Sequence, residues 1–291
     1  MIKDYVFDAE NGPIRMKVYG VDKPSCAMVI IHGMQEYSVR YDALAKELNM
    51  AKIAVVTSDL RGHGDNITLG PGLDAGNIFV NIVSDQKAII GKVKEIYPDV
   101  PVVVLGHSYG SFVTQRLIKD RVEVDKFILS GSSLMKGPLI FAGRIVAGLA
   151  RLFKGREADA RLVENMSIKG YGKKFDGGNW LSRDNSVWEK YKADPKCGNS
   201  FPVAFYQSMF SELPKNYTKL KNSVGYRPTI LIVSGDNDPV GGFGKGVKKL
   251  AGVYEKAGFN VTTKIYPGGR HEMLNETNRD KVLLDILEFI L

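Results

Sequence analysis

The chain has little of what staples small folds or holds a metal: only two of its 291 residues are cysteine. Cys26 and Cys197 lie far apart, without the close pairing of a zinc site, and in a reducing compartment they are expected as free thiols. Neither stands where a nucleophile would. Membrane-spanning runs are missing too, since no uncharged stretch reaches the roughly 18 residues needed to cross a bilayer. The opening MIKDYVFDAE has no apolar segment behind a basic end, so no secretory signal is read there and a cytoplasmic protein is expected. Internal repeats and low-complexity tracts are lacking. Histidine is scarce, with four in all, which narrows any search for a general base.

What is present describes a globular protein with a large core: 44% of residues are hydrophobic and 25% charged. One large domain, or one domain carrying an insertion, fits this length. The net charge of +8 is concentrated locally. Between Leu134 and Phe175 nine basic residues (Lys136, Arg144, Arg151, Lys154, Arg156, Arg161, Lys169, Lys173, Lys174) face three acidic ones (Glu157, Asp159, Glu164). No zinc knuckle, glycine-aromatic RNA-binding signature or base-reading helix accompanies this excess, so nucleic acid is not the expected partner.

Two alternating runs, Tyr5 to Asp8 and Ile14 to Tyr19, are joined through Asn11-Gly12 and predict an antiparallel hairpin. Six short β-rich runs follow: Ala27 to Ile31, Ile53 to Thr57, Val100 to Leu105, Lys126 to Leu129, Thr229 to Val233 and Val261 to Tyr266. Most are apolar on both faces, as in a buried parallel sheet. Helical patterns at Tyr41 to Met50, Ile78 to Tyr97, Tyr109 to Lys119, Lys245 to Ala257 and Arg279 to Leu291 lie between or after them. The fold class expected is α/β, a mostly parallel central sheet with helices on both faces and an N-terminal antiparallel hairpin. The alternation stops at about residue 134 and resumes after 213. We therefore expect a discontinuous core, 1–133 and 214–291, with an inserted helical cap over 134–213. Within that cap, PLIFAGRIVAGLARLF (Pro138 to Phe153) is apolar almost all round, with Arg144 and Arg151 on one narrow face. It reads either as a helix packed over the core or as one that dips into a lipid surface.

Residues 106 to 110 read GHSYG. A Gly-x-Ser-x-Gly match arises by chance about 0.2 times in a chain of this composition, so only its context can give it meaning. Here the strand run PVVVL enters it and the helical run SFVTQRLIKD leaves it. That strand-to-helix elbow makes Ser108 a candidate nucleophile, with a helix N-terminus beside it to stabilise negative charge. A serine hydroxyl needs a histidine to take its proton and a carboxylate to orient that histidine. Of the four histidines, His107 is expected to point away from Ser108, His32 to precede Gly33 in an oxyanion loop, and His63 to be a hydrogen-bonded loop residue. His271 follows the last strand and is the candidate base. In the loop SGDNDPVGG, Asp238 is favoured as the carboxylate, by its spacing from Gly235 and the proline after it, with Asp236 as the alternative. The chain order Ser, Asp, His is that of α/β-hydrolases. Backbone N–H groups of Met34 and Tyr109 are the candidate oxyanion donors, another residue of the IIHGMQEYSVRY loop being the alternative to Met34.

Taken together, HGMQEYSVRY, DLRGHG, GHSYG, SGDNDPV, HEMLNE and the cap stretch SRDNSVWEKYKADPKCG resemble the monoacylglycerol lipase and lysophospholipase-like branch of the α/β-hydrolases, also described as serine aminopeptidase-like. The resemblance covers nearly the whole chain. It implies a serine ester hydrolase with no metal and no cofactor, acting on acyl chains held under a helical cap. Tyr109 stands where monoacylglycerol lipases often carry methionine, and Met34 and Gln35 are bulkier than the usual residues after His-Gly, so the acyl pocket is expected to differ. The expected substrate is a small lipid-like acyl ester of monoacylglycerol or lysophospholipid type. An anionic membrane is a further expected contact, through the basic cap. The alternatives are an aminopeptidase, a general esterase or thioesterase, and a non-catalytic lipid-binding protein, which would carry a broken triad.

Overall fold

The computed structural model describes every residue except 167, 222–224 and 227, and describes 166, 168 and 169 by backbone alone. Lys169, counted in the basic stretch, thus lies outside the described side chains. Eight strands form one sheet in the order β1-β2-β4-β3-β5-β6-β7-β8. They are β1 (Ile2–Ala9), β2 (Gly12–Tyr19), β3 (Cys26–Ile31), β4 (Ile53–Thr57), β5 (Val102–His107), β6 (Lys126–Ser130), β7 (Thr229–Gly235) and β8 (Asn260–Tyr266). The first pair is antiparallel and closes with Ala9 opposite Gly12, whose φ of 104° needs a residue without Cβ. β2 also runs antiparallel to β4, and all later pairings are parallel.

Side-chain alternation divides the core between the two faces of the sheet. Ala27, Val29 and Ile31 of β3 and Val102 and Val104 of β5 share one apolar cluster. It is covered by α2 (Ile78–Ile96), α3 (Tyr109–Lys119) and α9 (Lys245–Lys256). Met28 and Ile30, with Val103 and Leu105, face the other cluster under α1 (Asp42–Met50) and α10 (Arg279–Ile290). Every strand run read from the sequence is present: β5 lies two residues later than read, β7 keeps its start at Thr229 but runs on to Gly235, and β1 and β2 begin three and two residues earlier than read.

Between β6 and β7 lie α4 (Pro138–Lys154), α5 (Arg161–Met166), α6 (Ile168–Gly172), α7 (Asn185–Ala193) and α8 (Val203–Glu212). α8 is not a detached layer, since Phe205, Tyr206 and Met209 belong to the same cluster as the sheet's inner face. α4 packs on α8 at Gly143, where an added Cβ would stand 3.0 Å from the Phe210 ring. Ala147 is the one fully buried residue of α4, while Leu152 and Phe153 are 75% and 79% exposed. No described helix is long and apolar enough to cross a membrane.

Candidate active site

Ser108 sits where β5, in the middle of the sheet, turns directly into α3. Its φ of 52° and ψ of −118° place a residue with a Cβ in a region that costs about 1–3 kcal/mol, a strain typical of functional turns. The turn is held by four hydrogen bonds, one of them from Phe112 N–H to the Ser108 carbonyl at 3.3 Å. Ser108 N–H donates to the Ser130 carbonyl at 2.9 Å, and the Ser108 carbonyl accepts from Ser111 N–H at 2.9 Å and from the Ser111 hydroxyl at 2.5 Å. The flanking glycines serve closeness of approach rather than φ. A Cβ on Gly110 would collide with the carbonyl oxygens of Ile31 and His32, and one on Gly106 with the Gly110 carbonyl.

The loop after β8 brings His271 to the same end of the sheet, and the loop after β7 brings Asp238. Both are buried. His271 Nδ1 lies 3.0 Å from Asp238 Oδ1. An ionised carboxylate can only accept, so Nδ1 carries the proton and Nε2 of the neutral ring offers its lone pair. That Nε2 is buried with no hydrogen-bond partner among the described residues. Burial works to lower the His271 pKa, but the charge of Asp238 and its hydrogen bond outweigh it, with help from Glu272 and Glu36, and the ring titrates above its ordinary value. Asp236, the alternative, is exposed and accepts from Gly268 N–H at 2.7 Å, as a turn-forming residue does.

The loop after β3 lies against the elbow: an added Cβ on Gly33 would stand 3.1 Å from that of Ser108. Gly33 N–H is occupied, donating to Glu36 Oε1 at 2.5 Å. Among the described residues neither Met34 N–H nor Tyr109 N–H has an acceptor within the chain.

The remaining histidines are accounted for. His32 Nε2 accepts from Leu60 N–H at 2.9 Å, so its Nδ1 donates to the Gly33 carbonyl at 2.8 Å and the loop is bolted to the one after β4. His63 Nδ1 donates to the Arg61 carbonyl at 2.9 Å, and its ring packs edge-on against Phe201. His107 differs from expectation. Its ring is not directed away from the site but lies 4.9 Å from that of His271 and lines the same cavity. Strand alternation fails as a guide there because the chain leaves the β region at the next residue. Burial, aided by His271, holds the His107 pKa down at about 4.

Ser108 at the strand-to-helix elbow and His271 and Asp238 from two loops thus lie at one end of the sheet. The model of the family described as "Serine aminopeptidase, S33" matches residues 22–278. The chain belongs to this family. It is a family of serine hydrolases with the α/β-hydrolase fold, and its monoacylglycerol lipase-like members are among the relatives. A monoacylglycerol lipase of Mycolicibacterium smegmatis is 26% identical, covering 92% of this chain and 88% of that one. A phospholipase of Bacillus subtilis is 24% identical over 92% of this chain and 95% of its own. Among solved structures, a lipase in an open form superposes with a TM-score of 0.86 at 25% identity, covering 100% of this chain and 98% of that one. A carboxyl esterase from Bacillus coagulans in complex with glycerol gives 0.84 at 26%, covering 99% and 97%.

In this hydrolase Ser108 and His271 open onto a cavity of about 670 Å³, within the roughly 300–1,000 Å³ range of ligand pockets. Its walls are mostly apolar, with Leu139, Ile140 and Val146 from α4 and Met209, Phe210 and Leu213 from α8 and just beyond. Tyr109 is among the lining residues, and its ring lies in the core beneath, 5.1 Å from that of Phe205 and 6.0 Å from that of Phe79.

The sequence reading missed a buried charge cluster that lines the cavity. Arg40 grips both oxygens of Glu272 at 2.8 Å and also pairs with Glu36, which accepts from the Tyr41 hydroxyl at 2.9 Å. Burial works to raise the Glu36 carboxyl, but Arg40, with His107, His32 and the Gly33 N–H, holds it down at about 2. One Arg thus ties the loop after β3 to the loop of His271. Its signal lay in the quoted motifs, as Glu36 and Arg40 four apart and Glu272 directly after His271.

Proposed function

We propose that this hydrolase cleaves lipid-like carboxylic esters through Ser108, His271 and Asp238, with the N–H groups of Met34 and Tyr109 as oxyanion donors. The observation that carries the reading is the His271 ring itself: fixed on one side by buried Asp238, it presents a lone pair with no partner to the cavity that Ser108 lines. Leaving a buried acceptor unpaired is costly, and such atoms cluster where a reacting group is meant to enter.

The chemistry follows from that arrangement. Ser108 Oγ attacks the ester carbonyl carbon as His271 Nε2 takes its proton; the carbonyl π electrons move onto oxygen, which the two N–H groups receive. Collapse of the tetrahedral intermediate breaks the bond to the alcohol oxygen, which leaves with the proton from Nε2. Water then attacks the acyl-enzyme by the same route, releasing the acid and restoring the serine. Asp238 holds the ring in the required tautomer and stabilises the imidazolium without being protonated.

An acyl chain is the substrate part best suited to walls of leucine, isoleucine, methionine and phenylalanine. The names of the lipase and phospholipase relatives support the same class. The aminopeptidase reading requires a carboxylate for the substrate amine. Glu36 and Glu272, the carboxylates lining the cavity, are both taken by Arg40. Residues 134–213 act in this reading as the cap over the cavity. The apolar outer side of α4, with Leu149, Leu152 and Phe153 exposed beside Arg144, Arg151 and Lys154, is its contact with an anionic membrane surface.

A series of monoacylglycerols, lysophospholipids and aminoacyl amides of matched size tests the assignment. Turnover of the esters with a clear chain-length optimum is expected; preference for the amides would replace the lipase reading with the peptidase one.

A further inference from the structure

Trp180 lies in the chain segment between α6 and α7, and that segment is fastened along its length to the loop that carries His271. Glu272 N–H donates to the Leu181 carbonyl at 2.7 Å, and His271 N–H to the Trp180 carbonyl at 3.4 Å. The Arg270 guanidinium donates to the carbonyls of Asn179 and Ser182, at 2.5 and 3.1 Å, while Arg183 pairs with buried Glu276 at 2.8 Å. These ties deliver the indole to the imidazole. The two ring centroids are 4.8 Å apart, with their planes inclined by 34°. Tyr171 meets the indole edge-on at 5.4 Å.

We propose that Trp180 is a positioning residue for the hydrolase: its indole stabilises the imidazolium that His271 becomes on taking the Ser108 proton. The proposal rests on the triad reading above. An aromatic face within about 6 Å attracts a cation through its quadrupole, most strongly where water is excluded, and indole is the best such face. The neutral imidazole of the resting enzyme gains far less. The interaction therefore strengthens between ground state and transition state, which is the condition for it to contribute to rate.

The other groups facing His271 do not do the same work. Asp238 supplies the main counter-charge at Nδ1. Glu272 and Glu36 act from a distance and are shared with Arg40. His107, 4.9 Å away, is held neutral well into acid, and burial holds the Tyr171 hydroxyl protonated, its pKa pushed up to about 12. Trp180 is thus the aromatic group on the cap side whose face the imidazolium meets, and its cap segment becomes part of the base.

Two measurements test this, and they fail separately. Trp188 is the second of the two tryptophans. In a Trp188→Phe background Trp180 is therefore the sole tryptophan, excited apart from the tyrosines at the red edge of the absorption band, and a protonated imidazole in contact quenches indole emission. Emission is expected to fall as acid protonates His271, and the step is expected to vanish in His271→Gln. No step, or one that persists without His271, would overturn the proposal without any reference to turnover. In the second measurement, the acid limb of kcat/KM in Trp180→Leu, which still shields the ring, is expected to move about half a pH unit to acid, with kcat lower by about threefold. Trp180→Phe should recover most of both. A fall in kcat with an unmoved limb would mark Trp180 as structural only; should Trp180→Leu not fold, the Phe variant and the emission titration decide. Labelling of the wild type by a fluorophosphonate, run alongside, reports on the triad reading itself, so failure to label counts against that reading and an unmoved limb in a labelled enzyme counts against Trp180.

Discussion

Arg40 crosses 232 positions of sequence to hold both carboxylate oxygens of Glu272, the neighbour of His271, at 2.8 Å each. The same guanidinium pairs with Glu36, whose other oxygen holds the Gly33 N–H. Replacing Arg40 by Met would leave two carboxylates buried without a counter-charge. We expect Arg40→Met to lose about 3–5 kcal/mol of stability, read as a lower urea midpoint, far more than the roughly 1 kcal/mol of an exposed pair such as that of Lys92 and Glu95. Equal loss from Arg40→Met and from Lys92→Met would contradict the role given to the cluster.

Strain at Ser108 gives a second test. Glycine normally costs a fold about 0.5–1 kcal/mol relative to alanine. At φ 52° and ψ −118° that order should vanish or invert, because alanine keeps the unfavourable Cβ. Both Ser108→Gly and Ser108→Ala should be inactive, with the glycine variant at least as resistant to heat. An alanine variant more stable by the ordinary margin would show that the elbow is relaxed.

The raised pKa of His271 fixes the direction of two pH effects. Catalysis needs the neutral ring, so kcat/KM should climb from acid with a midpoint above the ordinary imidazole value of about 6.5. Asp238→Asn removes the charge that raises it and offers the wrong hydrogen-bonding group, so kcat should fall on the order of 10⁴-fold, as the equivalent change does in another triad. Stability runs the other way. A group whose pKa is higher folded than unfolded stabilises the fold fully below about 6.5, and that contribution is lost as pH rises through the folded value. The gap in urea midpoint between wild type and His271→Gln should therefore narrow with rising pH; a widening gap would reverse the sign.

Two double variants on the outer side of α4 test the membrane contact proposed for it. Leu152→Ser with Phe153→Ser removes exposed apolar surface and should weaken binding to neutral and anionic vesicles alike. Arg144→Glu with Arg151→Glu should weaken binding at least tenfold on anionic vesicles and leave neutral ones nearly unchanged, at about 1 kcal/mol per charge near such a surface. Vesicle flotation that does not distinguish the four cases would remove α4 from the contact.

Much of this was legible in the chain because each strand run was short, β-branched and bounded by turn residues, and because the GHSYG elbow had a strand before it and a helix after. Asp238 was favoured over Asp236 by its spacing from Gly235 and the proline after it, and His271 by its place after the last strand; the fold places the two 3.0 Å apart. What escaped was pairwise and long-range. Nothing local in HEMLNE says that Glu272 needs Arg40, and nothing in GGNWLSRD says that Trp180 will lie over an imidazole. His107 was misread because strand alternation was carried one residue past the point where the backbone leaves it. The outer apolar surface of α4 was visible as composition, but which side the helix turns outward depends on how Gly143 seats against Phe210.

The central claim is that Ser108 is a nucleophile activated by His271. Intact-protein mass spectrometry after treatment with a fluorophosphonate tests it most directly. One adduct per chain is expected in the wild type, mapped to the peptide containing Ser108, with none in Ser108→Ala and labelling slowed by orders of magnitude in His271→Gln. A wild type that stays unmodified, or an Ser108→Ala variant that labels as fast, would contradict it.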